Sequence, residues 1–296
     1  MRKGWIVYNG FNNSSKFLDH VSWFIESFKE LDIELLPIKN SEVEIVLDDT
    51  ITAYFSRPDF VLFWDKDTLL AKTLEALNIP LFNSSEGIDI CDNKYLTHIE
   101  LSKNNIPTPK TIVGPKTFPK NGYNDFSFVD RAIKNLGLPL IIKECFGSFG
   151  FAVYLLDSKE KCIEKIIEIG TKPFIFQEYI KESSGKDIRL NVVGDKAVAA
   201  TKRINENDYR ANVTNGGTMY PYTPTSEEIA LAIKACKAVK CDFAGVDILH
   251  SSKGPVVCEV NSNAHLKNVY LATNIDVTKE IASYIKKKVY SKWTSF

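Results

Sequence analysis

A chain of 296 residues with 44% hydrophobic content can bury a substantial core, and its length corresponds to about two domains of ordinary size. That composition argues against collagen, coiled coil and disorder. Lys plus Arg and Asp plus Glu stand at 37 each, so no net field draws the protein toward nucleic acid or a membrane surface. The six cysteines (Cys91, Cys145, Cys162, Cys236, Cys241 and Cys258) form no C-x-x-C pair or zinc spacing, and Cys145 and Cys258 read as small hydrophobes in apolar runs. The first residues, M-R-K-G-W-I-V-Y-N-G, start basic, but Asn and Gly interrupt the apolar run before signal-peptide length, and no stretch approaches a membrane span. The expectation is a soluble cytoplasmic protein with reduced thiols and neither a membrane nor a nucleic-acid partner.

In chain order, the first ninety residues alternate short apolar runs with amphipathic stretches. W-I-V-Y at 5–8 is followed by a helix from about Lys16 to Leu31, then I-E-L-L-P-I, D-F-V-L-F-W at 59–64, a helix to Asn78, and I-P-L-F. That alternation predicts an α/β layer with a mostly parallel sheet. No G-x-G-x-x-G turn follows the first strand, so a Rossmann-type phosphate loop is absent. Asp92 is expected to cap a helix to about Asn104, and I-P-T-P at 106–109 ends it at a domain boundary. Beyond lie a helix near Phe128 to Leu136, a strand–glycine turn–strand unit at 139–156, a helix from Lys159 to Ile169 and the strand P-F-I-F-Q-E-Y-I. Strands I-R-L-N-V-V and A-V-A-A-T-K-R flank a Gly194-Asp195 hairpin turn. A helix with Ile229, Ala232, Ile233, Cys236 and Val239 on one face, two further strands and an amphipathic helix follow. The Lys286-Lys287-Lys288 run on that last helix reads as a solvated face.

Four stretches carry candidate chemistry. In V-V-C-E-V-N-S-N at 256–263, Glu259, Asn261 and Asn263 are two apart, so on a strand they share a face while Cys258 and Val260 take the other. If the preceding strand pairs with this one around Ser251 to Gly254, Asp247 converges with Glu259 and Asn261 in an all-oxygen set suited to Mg²⁺ or Mn²⁺. Polar residues of an edge strand facing water are the plain alternative. In K-E-C-F-G-S-F-G at 143–150, glycines permit backbone approach to a ligand and Lys143 offers a compact charge to phosphates, although an unliganded hairpin turn explains the glycines nearly as well. The strand end Glu178, Tyr179, Ile180 can present main-chain groups to a purine edge, with Asp187 or Glu182 available to ribose. Lys202-Arg203 and Arg210-Ala211-Asn212 can converge on an anion, or be solvated.

Taken in this order, the features resemble the ATP-grasp carboxylate-amine ligases, and within them the RimK-type glutamate ligases. K-E-C-F-G-S-F-G, F-Q-E-Y-I-K-E-S-S-G-K-D-I-R, K-R followed by Y-R-A-N-V-T-N-G-G, and F-A-G-V-D-I-L with G-P-V-V-C-E-V-N carry the resemblance over roughly Lys94 to Ile285. It implies an α/β (α+β ATP-grasp) fold with three parts: a small α/β domain at 1–91, a central subdomain at 92–184, and a C-terminal subdomain at 185–296, ATP lying between the last two. By resemblance, Lys94 and Lys143 hold ATP phosphates under a lid from Gly147 through Ser148 to Gly150. Glu178, Tyr179 and Ile180 read adenine, Asp187 faces ribose, and Asp247, Glu259 and Asn261 hold Mg²⁺ or Mn²⁺, in the form of two ions. Arg203 and Arg210, with Asn212, surround the transferred phosphate and the acyl intermediate.

The implied reaction is two-step: a carboxylate takes the γ-phosphate of ATP, and an amine then displaces phosphate to form an amide, as in adding glutamate to a peptide, protein or small acceptor. The substrates would be small-molecule or peptide carboxylates and amines, with homo-oligomers common in such enzymes. An ATP-grasp kinase and a nucleotide-binding module without turnover are the alternatives. One departure stands out: E-V-N continues into Ser262-Asn263-Ala264-His265-Leu266, where RimK-type enzymes commonly have a small residue, proline and glycine. That turn leaves the acceptor open and makes His265 a substrate contact, a base toward the incoming amine, or an ordinary loop residue.

Overall fold

The computed structural model describes residues 2–12 and 14–291. Strand β1 (Arg2–Tyr8) leads through helix α1 (Ser15–Lys29) to β2 (Ile33–Lys39); a β3 (Ile45–Leu47) and β4 (Ile51–Ala53) hairpin follows, then β5 (Phe60–Phe63), α2 (Thr68–Ala76) and β6 (Leu81–Phe82). The sheet runs β2-β1-β5-β6, all pairs parallel. Phe60 to Phe63 form the continuous apolar run of a parallel strand covered on both faces, and all four are buried. In α1, Val21, Phe24 and Phe28 recur at helical spacing and bury one face. The small β3–β4 hairpin is not marked by the sequence pattern.

Helix α3 (Ser85–Asp92) abuts α4 (Lys94–Lys103). Asp92 closes the first helix rather than capping the second: the Asn93 side chain accepts from the Tyr95 N–H and is the cap. The next sheet holds β7 (Thr111–Val113), β8 (Leu140–Glu144), β9 (Val153–Leu156) and β10 (Phe174–Glu178) in the order β7-β10-β8-β9, antiparallel throughout, with α5 (Ser127–Leu136) and α6 (Lys159–Ile169) on one face. Strand β10 ends at Glu178, so Tyr179 and Ile180 leave the ladder.

The third sheet is β11 (Lys186–Val193), β12 (Lys196–Ile204), β13 (Thr218–Pro221), β14 (Phe243–Ser251) and β15 (Gly254–Asn261), ordered β13-β12-β11-β14-β15. Gly194 and Asp195 make the expected turn, with Gly194 at φ +58°. Helix α7 (Ser226–Ala238) starts in a capping box between Thr225 and Glu228, and α8 (Lys267–Thr273) and α9 (Val277–Ser291) end the described chain. The ladder pairs Asp247 with Glu259 but Ile248 with Val257, leaving Cys258 as an extra residue. That β-bulge overturns strict alternation: Cys258 turns to the same side as Glu259, while Val257 and Val260 are fully buried.

The cores do not divide evenly among the three sheets. Ile6, Phe24, Phe28, Phe60 and Trp64 from the first 91 residues share one apolar cluster with Phe243, Val269, Ile281 and Ile285. Asn83, with no exposed surface, locks the same junction: its Oδ1 accepts from the N–H groups of Asp242 (2.7 Å) and Phe243 (3.1 Å), and its Nδ2 donates to the carbonyls of Phe243 and Ser262. The middle sheet instead has its own cluster, in which Val129, Leu140, Ile142, Ile166, Phe174 and Phe176 are buried.

Candidate active site

Between the middle and third sheets lies a cleft enclosing about 870 Å³, counting its open mouth. Lys94, Lys143, Gly147, Ser148, Gly150, Glu178, Tyr179, Ile180, Asp187, Arg203, Arg210, Asn212, Asp247 and Glu259 all line it; Asn261 does not. Gln177, Tyr209 and Cys258 also face it; they lie within the quoted motifs, but the resemblance gives them no role at the site.

Strand register builds its floor. Arg203 stands directly opposite Asp187, and Arg189 opposite Asp247, which in turn stands opposite Glu259. Arg203 donates to both Asp187 oxygens at 2.6 Å and reaches Asp247 at 2.9 Å, while Arg189 grips Asp247 at 2.6 and 2.7 Å. Bidentate geometry makes these strong, charge-assisted pairs, and two acids meet two guanidiniums with no charge left over. Burial opposes ionisation of Asp247, yet Arg189 and Arg203 hold its carboxyl down at about 2; burial dominates at Asp187 and pushes its pKa up. The sequence pattern does not single out Arg189; only the register, which aligns it with Asp247, reveals it.

The lysines are in the opposite condition. Lys94 and Lys143 are 8% and 7% exposed. Lys94 donates to the Gly147 carbonyl at 2.9 Å and stays 3.8 Å from Glu259; Lys143 touches the Cys258 Sγ at 3.4 Å and has no carboxylate within 4.0 Å among the described residues. Two nearly buried ammoniums without a hydrogen-bonded acid call for an anion from outside. Behind them, His98 is buried with its Nε2 at the Gln177 amide (2.9 Å); burial, then Lys143 and Lys94, push its pKa down to about 3, which keeps it neutral.

The glycine loop is held shut from two sides. Arg210 donates to the Gly150 carbonyl at 2.8 Å while paired with Asp208, and Thr214 and Asn215 reach the Phe149 carbonyl at 3.3 Å. Gly150 has φ +75°, and a Cβ there would stand 2.7 Å from the Asn212 Oδ1, so only glycine fits against this clasp. From the other side, Lys66 donates to the Ser148 Oγ at 3.1 Å and pairs closely with Asp92. Lys66 follows Asp65 at the carboxyl end of β5, where the order β2-β1-β5-β6 reverses direction, the usual crevice for ligands of an open parallel sheet. Asp65 is nearly buried, its pKa pushed up by burial, with the Asn9 amide at 3.3 Å and its own carbonyl taken by Asn263. Sequence reasoning missed both residues, whose signal was their place at a strand end. His265 sits away from the lysines, ring to ring with His20 at 4.4 Å.

Asp247 and Glu259 offer oxygen donors side by side, and the Glu259 carboxylate has no hydrogen bond among the described residues. Such oxygen donors suit a hard divalent ion that completes its shell with phosphate oxygens and water, but only Glu259 is open, since both Asp247 oxygens are held by Arg189 and Arg203. Asn261 lies two residues further along the strand, its Nδ2 buried with no hydrogen-bond partner among the described residues.

Known proteins share this architecture. The RimK-like ATP-grasp domain matches residues 91–285. A probable alpha-L-glutamate ligase of Mannheimia succiniciproducens is 31% identical over 219 residues, 73% of this chain and 70% of that protein. An uncharacterized protein MG012 homolog of Mycoplasma pneumoniae is 31% identical over 92% of this chain and 96% of its own. Among solved structures, the ATP-grasp ligase PsnB with its minimal precursor superposes with TM-score 0.72 at 18% identity, covering 97% of this chain and 99% of that one. D-alanine–D-alanine ligase of Bacillus anthracis reaches 0.74 at 19%, both chains fully covered. With the cleft, the lysines and the glycine loop in place, the chain belongs to the RimK-like ATP-grasp family and has the fold of the ATP-grasp ligases.

Proposed function

We propose that the protein uses ATP to activate a carboxylate as an acyl phosphate and joins it to an amine, one partner being an amino acid such as glutamate. The observation that carries this reading is the pair of nearly buried lysines in one cleft, Lys143 with no carboxylate within 4.0 Å among the described residues and Lys94 with only the Glu259 carboxylate, at 3.8 Å and not hydrogen-bonded. They suit the phosphates of ATP, while the main chain at Glu178 to Ile180 suits a purine edge. Asp247 and Glu259, with Asn261 adjoining, would hold one or two Mg²⁺ or Mn²⁺ ions, which when bound offset phosphate charge.

In the first step a carboxylate oxygen bonds to the γ-phosphorus as the bond to the ADP oxygen breaks. In the second, the amine nitrogen bonds to the acyl carbon, phosphate leaves and the amine loses a proton. No nucleophilic side chain is required: Lys94 and Lys143 orient phosphates, Arg210 steadies the lid and the charge beneath it, and the clasped glycine loop keeps water from the acyl phosphate. The name of the Mannheimia relative supports glutamate as a partner, and the precursor peptide in a complex of PsnB supports a peptide substrate.

The test is ADP and phosphate release with Mg²⁺-ATP and amino acids offered singly, in pairs and with short peptides, products weighed by mass spectrometry. An amide mass formed with one ADP per bond is the expected result. A stable phosphorylated product without an amide would establish a kinase, and tight ATP binding without turnover across the panel would leave either a carboxylate outside the panel or a binding module.

A further inference from the structure

The middle sheet has a second concavity on the side away from the nucleotide cleft. Along β10 the faces alternate: Gln177 lines the cleft, and its neighbour Phe176 lines a groove of about 1490 Å³, counting its mouth. The two share no lining residue. Ile112, Tyr123, Phe128 and Phe176 give the groove an apolar floor.

Lys110, Lys116 and Arg131 stand around it, and none of their side-chain nitrogens has a carboxylate within 4.0 Å among the described residues, although the Lys110 main-chain N–H donates to the Glu178 carboxylate at 3.1 Å. Lys110 donates to the Asn135 carbonyl, Arg131 to the Ser127 hydroxyl, and Lys116 lies 5.9 Å from the Phe118 ring centre. The one acid lining the groove, Asp125, is engaged by the N–H and Oγ of Ser127. In a chain with balanced charge, the groove therefore keeps a local positive excess.

One wall is a strand edge. Strand β7 is outermost in its sheet. Glu178 donates to the Lys110 carbonyl and Gly114 to the Phe174 carbonyl, so Lys110, Ile112 and Gly114 point their main-chain groups at β10, while Thr111 and Val113 point theirs outward. An open edge beside an apolar floor accepts an extended peptide, whose alternate side chains drop into the groove. The cations are spread around the rim rather than gathered at one point, which suits carboxylates along a strand better than a single phosphate.

We propose that this groove binds an acidic peptide segment, added to β7 as a further strand, with alternate apolar side chains on the aromatic floor and carboxylates at Lys110, Lys116 and Arg131. The site is independent of what the cleft catalyses.

The probe is a fluorescein-labelled octapeptide alternating glutamate and valine, titrated with the full chain and followed by anisotropy without nucleotide. Saturable binding is expected, weakened about tenfold or more when glutamine replaces glutamate or when the protein carries Lys116→Glu with Arg131→Glu. Val113→Pro removes an outward N–H that no ladder bond uses, so it should abolish binding while the thermal unfolding midpoint holds. Equal binding of the glutamine peptide, undiminished binding by either variant, or preference for an oligonucleotide of the same charge would overturn the proposal.

Discussion

The two walls of the cleft are built differently. The third sheet is welded to the N-terminal sheet through Phe28, Phe60, Trp64, Phe243 and Ile281, with Asn83 buried at the seam. The middle sheet, which carries Lys143 and the glycine loop, closes its core with residues from 112 to 176 alone. Across the cleft the two walls meet through polar contacts, such as Arg210 with Gly150 and Lys143 with Cys258, that a ligand can rearrange. A wall with its own core can shift without breaking the other, which suits a site that must admit nucleotide and then exclude water. The three larger sheets are thus two units by packing, and the domain divisions at 91/92 and 184/185 remain proposals.

The largest expected effects fall on the charges between the walls. Lys143→Ala and Glu259→Gln should each lower ADP release on the order of 10³-fold, with the unfolding midpoint in urea unchanged. Normal turnover in either would remove the cleft assignment. Next come the cores: Phe28→Ala and Phe174→Ala should each cost about 3–5 kcal/mol. Native-state hydrogen exchange tells them apart. Phe174→Ala should loosen β7 to β10 alone, whereas Phe28→Ala should loosen the first and third sheets together. Uniform loss of protection in both would dissolve the distinction between the walls.

Asp247→Asn leaves Arg189 and Arg203 facing a neutral amide in a buried network, a loss of about 3–5 kcal/mol. Asp208→Asn, at the more open clasp on Arg210, should cost about 1 kcal/mol or less. Comparable losses in urea unfolding would show that the clasp is as structural as the sheet. A smaller effect comes from His98, whose pKa is about 3 in the fold against an ordinary 6.5. The unfolded chain binds more protons between those values, so stability is full above about pH 6.5 and falls as pH drops toward 3. Between pH 6.5 and 5 the loss is about 2 kcal/mol, and His98→Gln should flatten that slope in unfolding titrations. Last, Lys66→Ala releases Ser148 from the N-terminal side, and a rise of about tenfold or less in KM for ATP, with kcat nearly kept, is expected in steady-state kinetics.

Much of the cleft was legible because its residues sit in local motifs. The glycine loop, Lys143, the Glu178 to Ile180 segment and the Asp247–Glu259 hairpin are each contiguous or joined by a short turn, so spacing and resemblance find them. Cys258 was misplaced because a bulge inserts one residue into a regular alternation and nothing in V-V-C-E-V-N marks it. Arg189, Asp65 and Lys66 escaped notice because their partners lie 58, 56 and 26 residues away along the chain.

By itself, then, the sequence determined the order of the longer strands and helices (not β3, β4, α3, β7, β13 or α8), the Gly194-Asp195 hairpin and the motif residues of the cleft, since these follow from periodicity and turn chemistry acting over a few residues. Tertiary structure alone decided that Asp247 is shared by Arg189 and Arg203, that neither Lys94 nor Lys143 has a hydrogen-bonded acid among the described residues, and that the N-terminal and third sheets share a core. Those outcomes depend on strand register and on apolar surfaces meeting across more than a hundred residues, and no local propensity encodes either.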